Sequence, residues 1–226
     1  MKQMDWNKVW GRSKFYREGN FDWRFKENYF HRRMFDYFKG KIKNKNIKVL
    51  DCGCAPGNWA RWFREEFNAR VFGVDISKIG LDQSKKKVPD GKFVIADVRK
   101  TPFKNNTFDL IYHFGLIEHF DDFLPILKEN YRILKKGGKI ILTVPNNSKP
   151  SLTYYYDRLR YGKKTTERPV APEELKENLI RAGFKNVNVE PIGLFIPHGN
   201  KLIYFLNLKP LENRITAGSY VGYGVK

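Results

Sequence analysis

Residues 47–57 read Ile-Lys-Val-Leu-Asp-Cys-Gly-Cys-Ala-Pro-Gly, an apolar run that ends on an acidic residue and continues into a loop of small residues. The run through Asp51 predicts a short buried strand. Beyond the loop, aromatic residues recur at helical spacing and predict a helix over Asn58–Phe67. A strand, a glycine loop and a helix in this order are the opening unit of a sheet that alternates strands with helices. The aromatic residues of that helix are Trp59, Trp62, Phe63 and Phe67.

The same alternation continues along the chain and decides the fold class. Alternating strands and helices form a mostly parallel sheet that is covered on both faces. We therefore predict an α/β fold: a Rossmann-like, seven-stranded, mostly parallel sheet with helices on both faces, plus helical or irregular lid segments. The further strands are predicted at Arg70–Asp75, Lys92–Asp97, Phe108–Phe114, Lys139–Val144, Phe184–Glu190 and Tyr220–Val225. The further helices are predicted at Ser77–Lys87, at Phe123–Leu134 with a basic last turn at Lys135-Lys-Gly-Gly138, and at Pro172–Ala182.

The length of 226 residues suits a single domain. We predict a core at 47–145, an aromatic and basic N-terminal lid at 1–46, and two inserts at 146–169 and 192–217. The leader and inserts are predicted to cover one edge of the sheet and to shape a binding site there. Alternatively, their aromatic residues only pack against the core. These aromatic residues are Trp6, Trp10, Phe15, Tyr16, Phe21, Trp23, Tyr154–Tyr156 and Phe195.

The chain is strongly basic, with 43 basic and 24 acidic side chains, a net charge of +19 and a pI near 9.8. The excess lies outside the regular pattern: residues 1–48 carry 14 basic and 5 acidic groups, and residues 149–226 carry 13 and 7. Such a surface attracts RNA, DNA or an acidic membrane face, so nucleic acid is a candidate partner. A compositional preference for lysine is the alternative explanation.

Several classes of protein are excluded or disfavoured. No apolar run reaches about 18 residues, so no transmembrane segment is predicted. The first residues lack the apolar core of a signal peptide. Cys52 and Cys54, the only cysteines, form neither a disulfide framework nor a zinc site. We predict a cytoplasmic protein without a metal site and leave its oligomeric state open.

Three predicted strands end on a carboxylate, at Asp51, Asp75 and Asp97, and the fourth ends at His113-Phe114. A single aspartate after a strand is usually a turn former or a helix cap. Because parallel strands present their carboxyl ends at one edge, three such residues behind a glycine loop predict a ligand site.

The loop is unlike a dinucleotide fingerprint, because an acidic residue precedes it and its glycine spacing differs from G-x-G-x-x-G. Asp51 beside a diphosphate would repel it and suits a cationic ligand instead. Asp75 follows 24 residues later and suits ribose hydroxyls, while Asp97 can accept from an exocyclic amine. An adenosine with a positive centre and an amino acid tail, S-adenosylmethionine, fits these groups.

Four motifs resemble those of class I S-adenosylmethionine-dependent methyltransferases in order and spacing. They are Val49-Leu-Asp-Cys-Gly-Cys-Ala-Pro-Gly57, Val74-Asp-Ile-Ser77, Ala96-Asp-Val98 and Leu134-Lys-Lys-Gly-Gly-Lys-Ile-Ile-Leu-Thr-Val144. The resemblance implies that Gly53, Cys54, Ala55 and Gly57 wrap the methionine tail. It implies that Asp75 and Ile76 hold the ribose and adenine, that Asp97 and the Val98 backbone recognise the adenine, and that S-adenosylhomocysteine is the product. Ala55 departs from the glycine found in many members, and Ala-Pro-Gly-x-Trp also occurs in RNA ribose methyltransferases.

The segment Phe108-Asp-Leu-Ile-Tyr-His-Phe-Gly-Leu-Ile-Glu-His-Phe120 is similar to small-molecule methyltransferases of the ubiquinone-biosynthesis type. The Asn/Asp-Pro-Pro-Tyr motif of amino-directed enzymes is absent from it. His119 is the candidate general base for a hydroxyl acceptor, since histidine titrates near neutral pH. His113 and Phe114 are predicted to line the cofactor site, and His31 and His198 are further candidates for the acceptor pocket.

Three functions follow as alternatives. The first is methyl transfer to a small, lipid-like or amphiphilic metabolite, with an anionic one favoured by the basic flanks. The second is an RNA methyltransferase that uses those flanks on phosphates and stacks an unpaired base on aromatic rings. The third is a non-catalytic, cofactor-binding regulatory protein. The fourth-strand segment favours the first.

Overall fold

The computed structural model describes residues 5–12, 29–146, 151, 152, 155, 159, 167–194 and 212–226. Seven strands in this part of the chain form one sheet in the order β3-β2-β1-β4-β5-β7-β6. Strands β1 to β5 are mutually parallel, whereas β7 lies antiparallel between β5 and β6. The predicted α/β fold is therefore confirmed. The strands are β1 (Lys48–Cys52), β2 (Arg70–Asp75), β3 (Lys92–Ile95), β4 (Phe108–Phe114), β5 (Leu134–Pro145), β6 (Lys185–Leu194) and β7 (Ala217–Val225).

Six α-helices are described, and none of them is long and apolar enough to cross a membrane. They are α1 (Trp6–Arg12), α2 (Tyr29–Lys41), α3 (Asn58–Phe67), α4 (Lys78–Lys87), α5 (Leu124–Ile133) and α6 (Pro172–Arg181). A short 3-10 helix covers Ile117–His119. Ser77 caps α4 as predicted, because its hydroxyl accepts from the Gly80 N–H at 3.1 Å.

Two hydrophobic cores cover the two faces of the sheet. Side chains of β4 alternate between them: Leu110 and Tyr112 belong to the first core, and Ile111 to the second. The first core contains α2 and α3, whose Phe38 and Phe63 rings meet edge to face at 4.8 Å. The second core contains the apolar faces of α5 and α6.

The prediction of a basic helix end at Lys135–Gly138 is wrong. Helix α5 ends at Ile133, and the four residues form a bulge at the start of β5. The chain terminus holds this bulge, because the Gly137 N–H donates to the Lys226 carbonyl at 2.9 Å and the Lys226 N–H donates to Gly138 at 3.0 Å. Similarly, β3 ends at Ile95, so Asp97 lies in the following turn and not on the strand.

The leader is only partly the predicted lid. Helix α2 belongs to the core, since Met34 and Phe38 are fully buried, whereas α1 lies against α4. Asn7 on α1 accepts from the Ser77 hydroxyl at 2.9 Å. The predicted insert at 192–217 begins and ends inside strands β6 and β7. Several residues of the predicted lids lie outside the described residues: Phe15, Tyr16, Phe21, Trp23, Tyr154, Tyr156, Phe195 and His198.

Gly57 is expected to tolerate no side chain. Its φ is +86°, and a Cβ there would lie 2.6 Å from the Ser84 Cα on α4. We expect Gly57→Ala to lower the free energy of unfolding by about 2–4 kcal/mol, measured by chemical denaturation. Gly40→Ala is the matched control, because nothing lies within 4 Å of a Cβ there and its φ is ordinary for a helix. An equally small effect of both substitutions would contradict the assignment of Gly57 as a tight turn.

Candidate active site

A cavity of about 170 Å³ opens at the carboxyl ends of β1 and β4. The strand order reverses between these two strands, and open α/β sheets bind ligands at such a point. The cavity is lined by the loop 53–58, by Asp51 and by a group of aromatic rings that we call the aromatic wall. These rings belong to Trp10, His31, Trp59 and Phe114.

Asp75 orders two neighbouring loops around the cavity. Its Oδ2 accepts from the Ala55 N–H at 3.2 Å, and its Oδ1 accepts from the Ser77 N–H at 2.8 Å. The carboxylate is buried, and this desolvation raises its pKa, while the two backbone donors act in the opposite direction. Asp75 therefore fixes the glycine loop after β1 to the loop after β2.

Asp51 is a buried carboxylate that faces the cavity, with 4% of its surface exposed. Burial raises its pKa to about 8, the nearby Asp75 charge adds to this shift, and the Tyr112 hydroxyl opposes it. Among the described residues no lysine or arginine pairs with Asp51. A carboxylate in this position favours a cation in the cavity.

The aromatic wall is ordered by mutual ring contacts. Trp59 and Phe114 stack with centroids 4.2 Å apart, and the edge of His31 meets Trp59 at 5.2 Å. Trp10 reaches the same cavity from α1 and lies beside Gly80, where a Cβ would meet the indole at 3.1 Å. Ring faces of this kind stabilise a positive charge placed against them.

The chain is similar to known proteins in sequence and in fold. Residues 50–142 match the family model described as a methyltransferase domain. A demethylmenaquinone methyltransferase of Anoxybacillus flavithermus is 30% identical over 186 residues, covering 69% of this chain and 77% of the relative. The chain belongs to the S-adenosylmethionine-dependent methyltransferases. This methyltransferase is thus an enzyme, and the non-catalytic alternative is set aside.

Other proteins similar to this methyltransferase are also named methyltransferases. A phosphoethanolamine N-methyltransferase of Arabidopsis thaliana is 31% identical over 122 residues, covering 50% of this chain and 25% of the relative. Among solved structures, a methyltransferase in complex with the Trm112 methyltransferase activator of Haloferax volcanii has a TM-score of 0.72 at 18% identity, covering 99% and 98% of the two chains. Phosphoethanolamine N-methyltransferase 2 of Haemonchus contortus, in complex with S-adenosylmethionine, has a TM-score of 0.65 at 17% identity. The match covers 100% of this chain and 60% of that chain.

The residues around the cavity of this methyltransferase fit its methyl donor. The buried Asp51 carboxylate lacks a basic partner within the described part and suits an ammonium or sulfonium group. Gly53 and Gly57 have positive φ values of 72° and 86°, so the backbone itself forms the cradle. Cys54 is buried and its pKa is raised by burial, so its thiol packs in the core while its backbone belongs to the loop.

The structure brings Asp51 and Asp75 together but places Asp97 differently. The Asp97 carboxylate forms a two-pronged ion pair with Arg99, whose nitrogens lie 2.6 and 3.0 Å away, and this partner lowers its pKa. Val98 is buried in the second core, and Ile76 is exposed after β2. The predicted contact between the Asp97 carboxylate and adenine therefore competes with Arg99.

The prediction that His113 lines the cofactor site does not agree with the structure. The ring is fully buried on the face of the sheet opposite to Phe114, and its Nε2 lies 3.4 Å from the Asn130 amide on α5. Burial lowers the pKa of His113 to about 3, so it is neutral. Phe114, in contrast, lines the cavity.

His119 lies in the 3-10 helix after β4, and its ring meets the edge of Trp6 at 4.9 Å. Glu118, His119 and Glu167 form a cluster whose ligand-type atoms all lie within 4.8 Å of one another. Glu118 is buried, which raises its pKa to about 8, and its Oε2 has no hydrogen-bond partner. Within the described residues this is the one grouping of such side chains close enough to hold a metal ion. His119 is predicted from the sequence as a functional residue, whereas Glu118 and Glu167 are not.

Proposed function

We propose that this methyltransferase transfers the methyl group of S-adenosylmethionine to a small or amphiphilic metabolite bound beside the aromatic wall. The observation that supports this most directly is the pairing of a buried carboxylate, Asp51, with the stacked Trp59 and Phe114 rings in one cavity. A cation fits between them, and a neutral or partly apolar acceptor fits against the rings.

The cofactor contacts we propose follow the geometry of the loops. The loop of Gly53, Cys54, Ala55 and Gly57 holds the amino acid tail, with Asp51 on its ammonium group. Asp75 accepts from the ribose hydroxyls with the lone pairs that the Ala55 and Ser77 N–H groups leave unused. Ile76 and the backbone of Val98 lie against the adenine. Asp97 contributes from the turn after β3 if Arg99 shifts. When bound, S-adenosylmethionine supplies a methyl group activated by a sulfonium.

The chain's own task in this reaction is alignment and exclusion of water. Trp10 on α1 and Trp59 on α3 close the cavity from two sides. Asn7 ties α1 to the start of α4 through the Ser77 hydroxyl, so the lid helix is fixed next to the proposed ribose site. We propose that His119 accepts the proton of a hydroxyl acceptor, with Glu118 and Glu167 holding its ring.

We propose that the acceptor is a small molecule. The basic flanks of the chain favour an acceptor that carries an anionic group. The relatives' names support a small acceptor: they include a demethylmenaquinone methyltransferase and a phosphoethanolamine N-methyltransferase. No lysine or arginine is among the described residues that line the cavity, so positive charge acts on approach and not at the reacting atoms.

The acceptor class can be tested with labelled S-adenosylmethionine. The full chain is incubated with separate metabolite, lipid and RNA fractions of the source cell, and transfer of label is counted. We expect label in the metabolite or lipid fraction. Label confined to RNA, with transfer that falls steeply with salt, would contradict the proposal and support the RNA alternative.

Cofactor affinity is expected to depend on pH through Asp51. Because its pKa is raised to about 8, the ammonium of the ligand must meet a carboxylate that is largely protonated at lower pH. The Kd for S-adenosylmethionine should fall by roughly tenfold per pH unit from 6 to about 7.5, and above pH 8 it should rise again as the ligand's amino group loses its charge. Through the same group, the free energy of unfolding of the ligand-free protein should decrease as pH rises toward 8, since the raised pKa stabilises the protonated folded state.

Asp51→Asn is the control for this pH dependence. The ligand's own amino group titrates near pH 8, so the comparison is the difference between the two proteins in calorimetric titrations at each pH. The variant should bind S-adenosylmethionine more weakly near pH 8. Its Kd should also depend less on pH, because the contribution from ionisation of Asp51 is lost. Parallel pH curves for both proteins would refute this contribution.

A further inference from the structure

A second cavity, of about 160 Å³, lies at the amino-terminal edge of the sheet. We call it the basal cavity; its walls are the segment before β1 (42–47), the start of β4 and the bulged start of β5 (135–139). The proposed cofactor site lies at the other end of these strands. With five residues in β1 and about 3.3 Å per residue, the two cavities are roughly 15 Å or more apart.

The wall at Lys135–Lys139 has a fixed shape. Register passes from Phe108 opposite Leu134 to Leu110 opposite Lys139, so four residues of β5 bulge out opposite a single residue of β4. Only glycine fits at position 138, because a Cβ there would lie 2.8 Å from the Lys135 carbonyl oxygen. The two backbone hydrogen bonds from this bulge to Lys226 hold it against the terminus of β7. This wall is therefore a built part of the fold.

The charge of the basal cavity is unbalanced. Four lysines line it, at positions 43, 135, 136 and 139, against one carboxylate, Asp109. Asp109 is already satisfied, since Lys135 donates to its Oδ1 at 2.6 Å and the Lys48 N–H donates to its Oδ2 at 2.8 Å. Lys139 donates to the Lys41 carbonyl, which leaves its charge without a counterion. Lys43 and Lys136 are exposed and have no acidic partner within the described part of the chain.

We propose that the basal cavity binds a phosphate group. Lysine ammonium groups bind phosphate as point charges. Lys43 lines the cavity from the segment before β1, and Lys136 and Lys139 line it from the bulge of β5. Asn44 adds an amide, and Ile42, Ile47 and Leu110 form an apolar floor that suits the carbon skeleton attached to the phosphate. Free phosphate compounds and the backbone of RNA share this chemistry. The site is separate from the methyl-transfer cavity and does not rest on the identity of the acceptor.

The test uses the full chain and two probes, inorganic pyrophosphate followed by calorimetry and a fluorescein-labelled single-stranded RNA followed by anisotropy. The double variant Lys43→Glu/Lys136→Glu should weaken binding of at least one probe by about tenfold or more. The control is Lys128→Glu/Lys176→Glu, which makes the same change in net charge at exposed positions of α5 and α6. This control should change affinity by less than about threefold.

The two probes identify the source of the phosphate. If Lys43→Glu/Lys136→Glu weakens binding of pyrophosphate alone, the natural ligand is a small phosphorylated compound. If it weakens binding of the RNA, the ligand is a nucleic-acid backbone. Equal losses in the two double variants, or no binding of either probe by the unaltered protein, would overturn the proposal. S-adenosylmethionine binding should be unchanged in both variants. If charge reversal perturbs folding, Lys43→Gln/Lys136→Gln replaces it, with an intermediate loss expected and the same overturning outcome.

Discussion

Asp75→Ala is expected to abolish S-adenosylmethionine binding, with a loss of at least about a hundredfold in affinity. The substitution removes the acceptor of the Ala55 and Ser77 N–H groups, which then lie at the cavity without a partner. Each unsatisfied buried donor costs roughly 1–3 kcal/mol, and the proposed ribose contact is lost as well. The measurement is isothermal titration calorimetry at pH 8 on the variant and on the unaltered protein.

Two further variants separate a binding role from a structural one. Asp75→Asn preserves the side-chain volume, yet its amide nitrogen cannot accept from a backbone N–H, so a loss of similar size is expected. Asp82→Ala removes an exposed carboxylate from α4 and breaks only its ion pair with Lys78, so binding should be unchanged. A folded Asp75→Ala protein that binds the cofactor with wild-type affinity would refute the assignment of Asp75.

Local sequence was sufficient for the elements that position this site. The bounds of α3, β2 and β4 follow from apolar periodicity and from the residues that end each element. Asp51 and Asp75 meet because both close parallel neighbours of one sheet, which the motif order already implied. The resemblance to methyltransferases was carried by these same residues, and the comparisons confirm it.

His113 illustrates a signal that was present but not used. It is adjacent to Phe114 in β4, and consecutive strand residues point to opposite faces. Both therefore cannot line the same cavity, and Leu110 and Tyr112, which share the face of Phe114, identify His113 as the residue on the other side. Asp97 differs for another reason: β3 ends at Ile95, and Arg99, two residues after Asp97, pairs with its carboxylate, which a strand-end argument does not consider.

The remaining differences depend on contacts between distant parts of the chain. The lysine–glycine bulge of β5 is fixed by Lys226, more than eighty residues away, so local patterns favoured a helix end instead. Helix α2 is basic by composition, yet Met34 and Phe38 insert into the first core against α3. Composition alone assigned this segment to a lid, because it does not reveal which face of a basic helix is apolar.

His119→Ala is expected to slow methyl transfer to a hydroxyl acceptor by roughly 10²–10⁴-fold. The imidazole lies beside Trp6 and within 4.8 Å of the Glu118 and Glu167 carboxyl oxygens, a setting that we expect to orient the ring for proton uptake. Because His119 is not among the residues that line the cofactor cavity, the Kd for S-adenosylmethionine should change by less than about twofold. The measurement is kcat with the acceptor found in the labelling experiment.

The pH profile distinguishes a base from a residue that only shapes the pocket. In the unaltered enzyme, kcat should rise on the acid side as His119 loses its proton, and His119→Ala should lose this limb. His31→Ala is the matched control: its ring lines the cavity against Trp59, so it should raise KM while keeping the acid limb. Glu118→Gln should keep the acid limb of the kcat profile but move it along the pH axis, because the substitution changes only the surroundings of the His119 ring. An unchanged rate in His119→Ala, or an acid limb that persists in it, would exclude His119 as the base and favour an acceptor that reacts without proton removal.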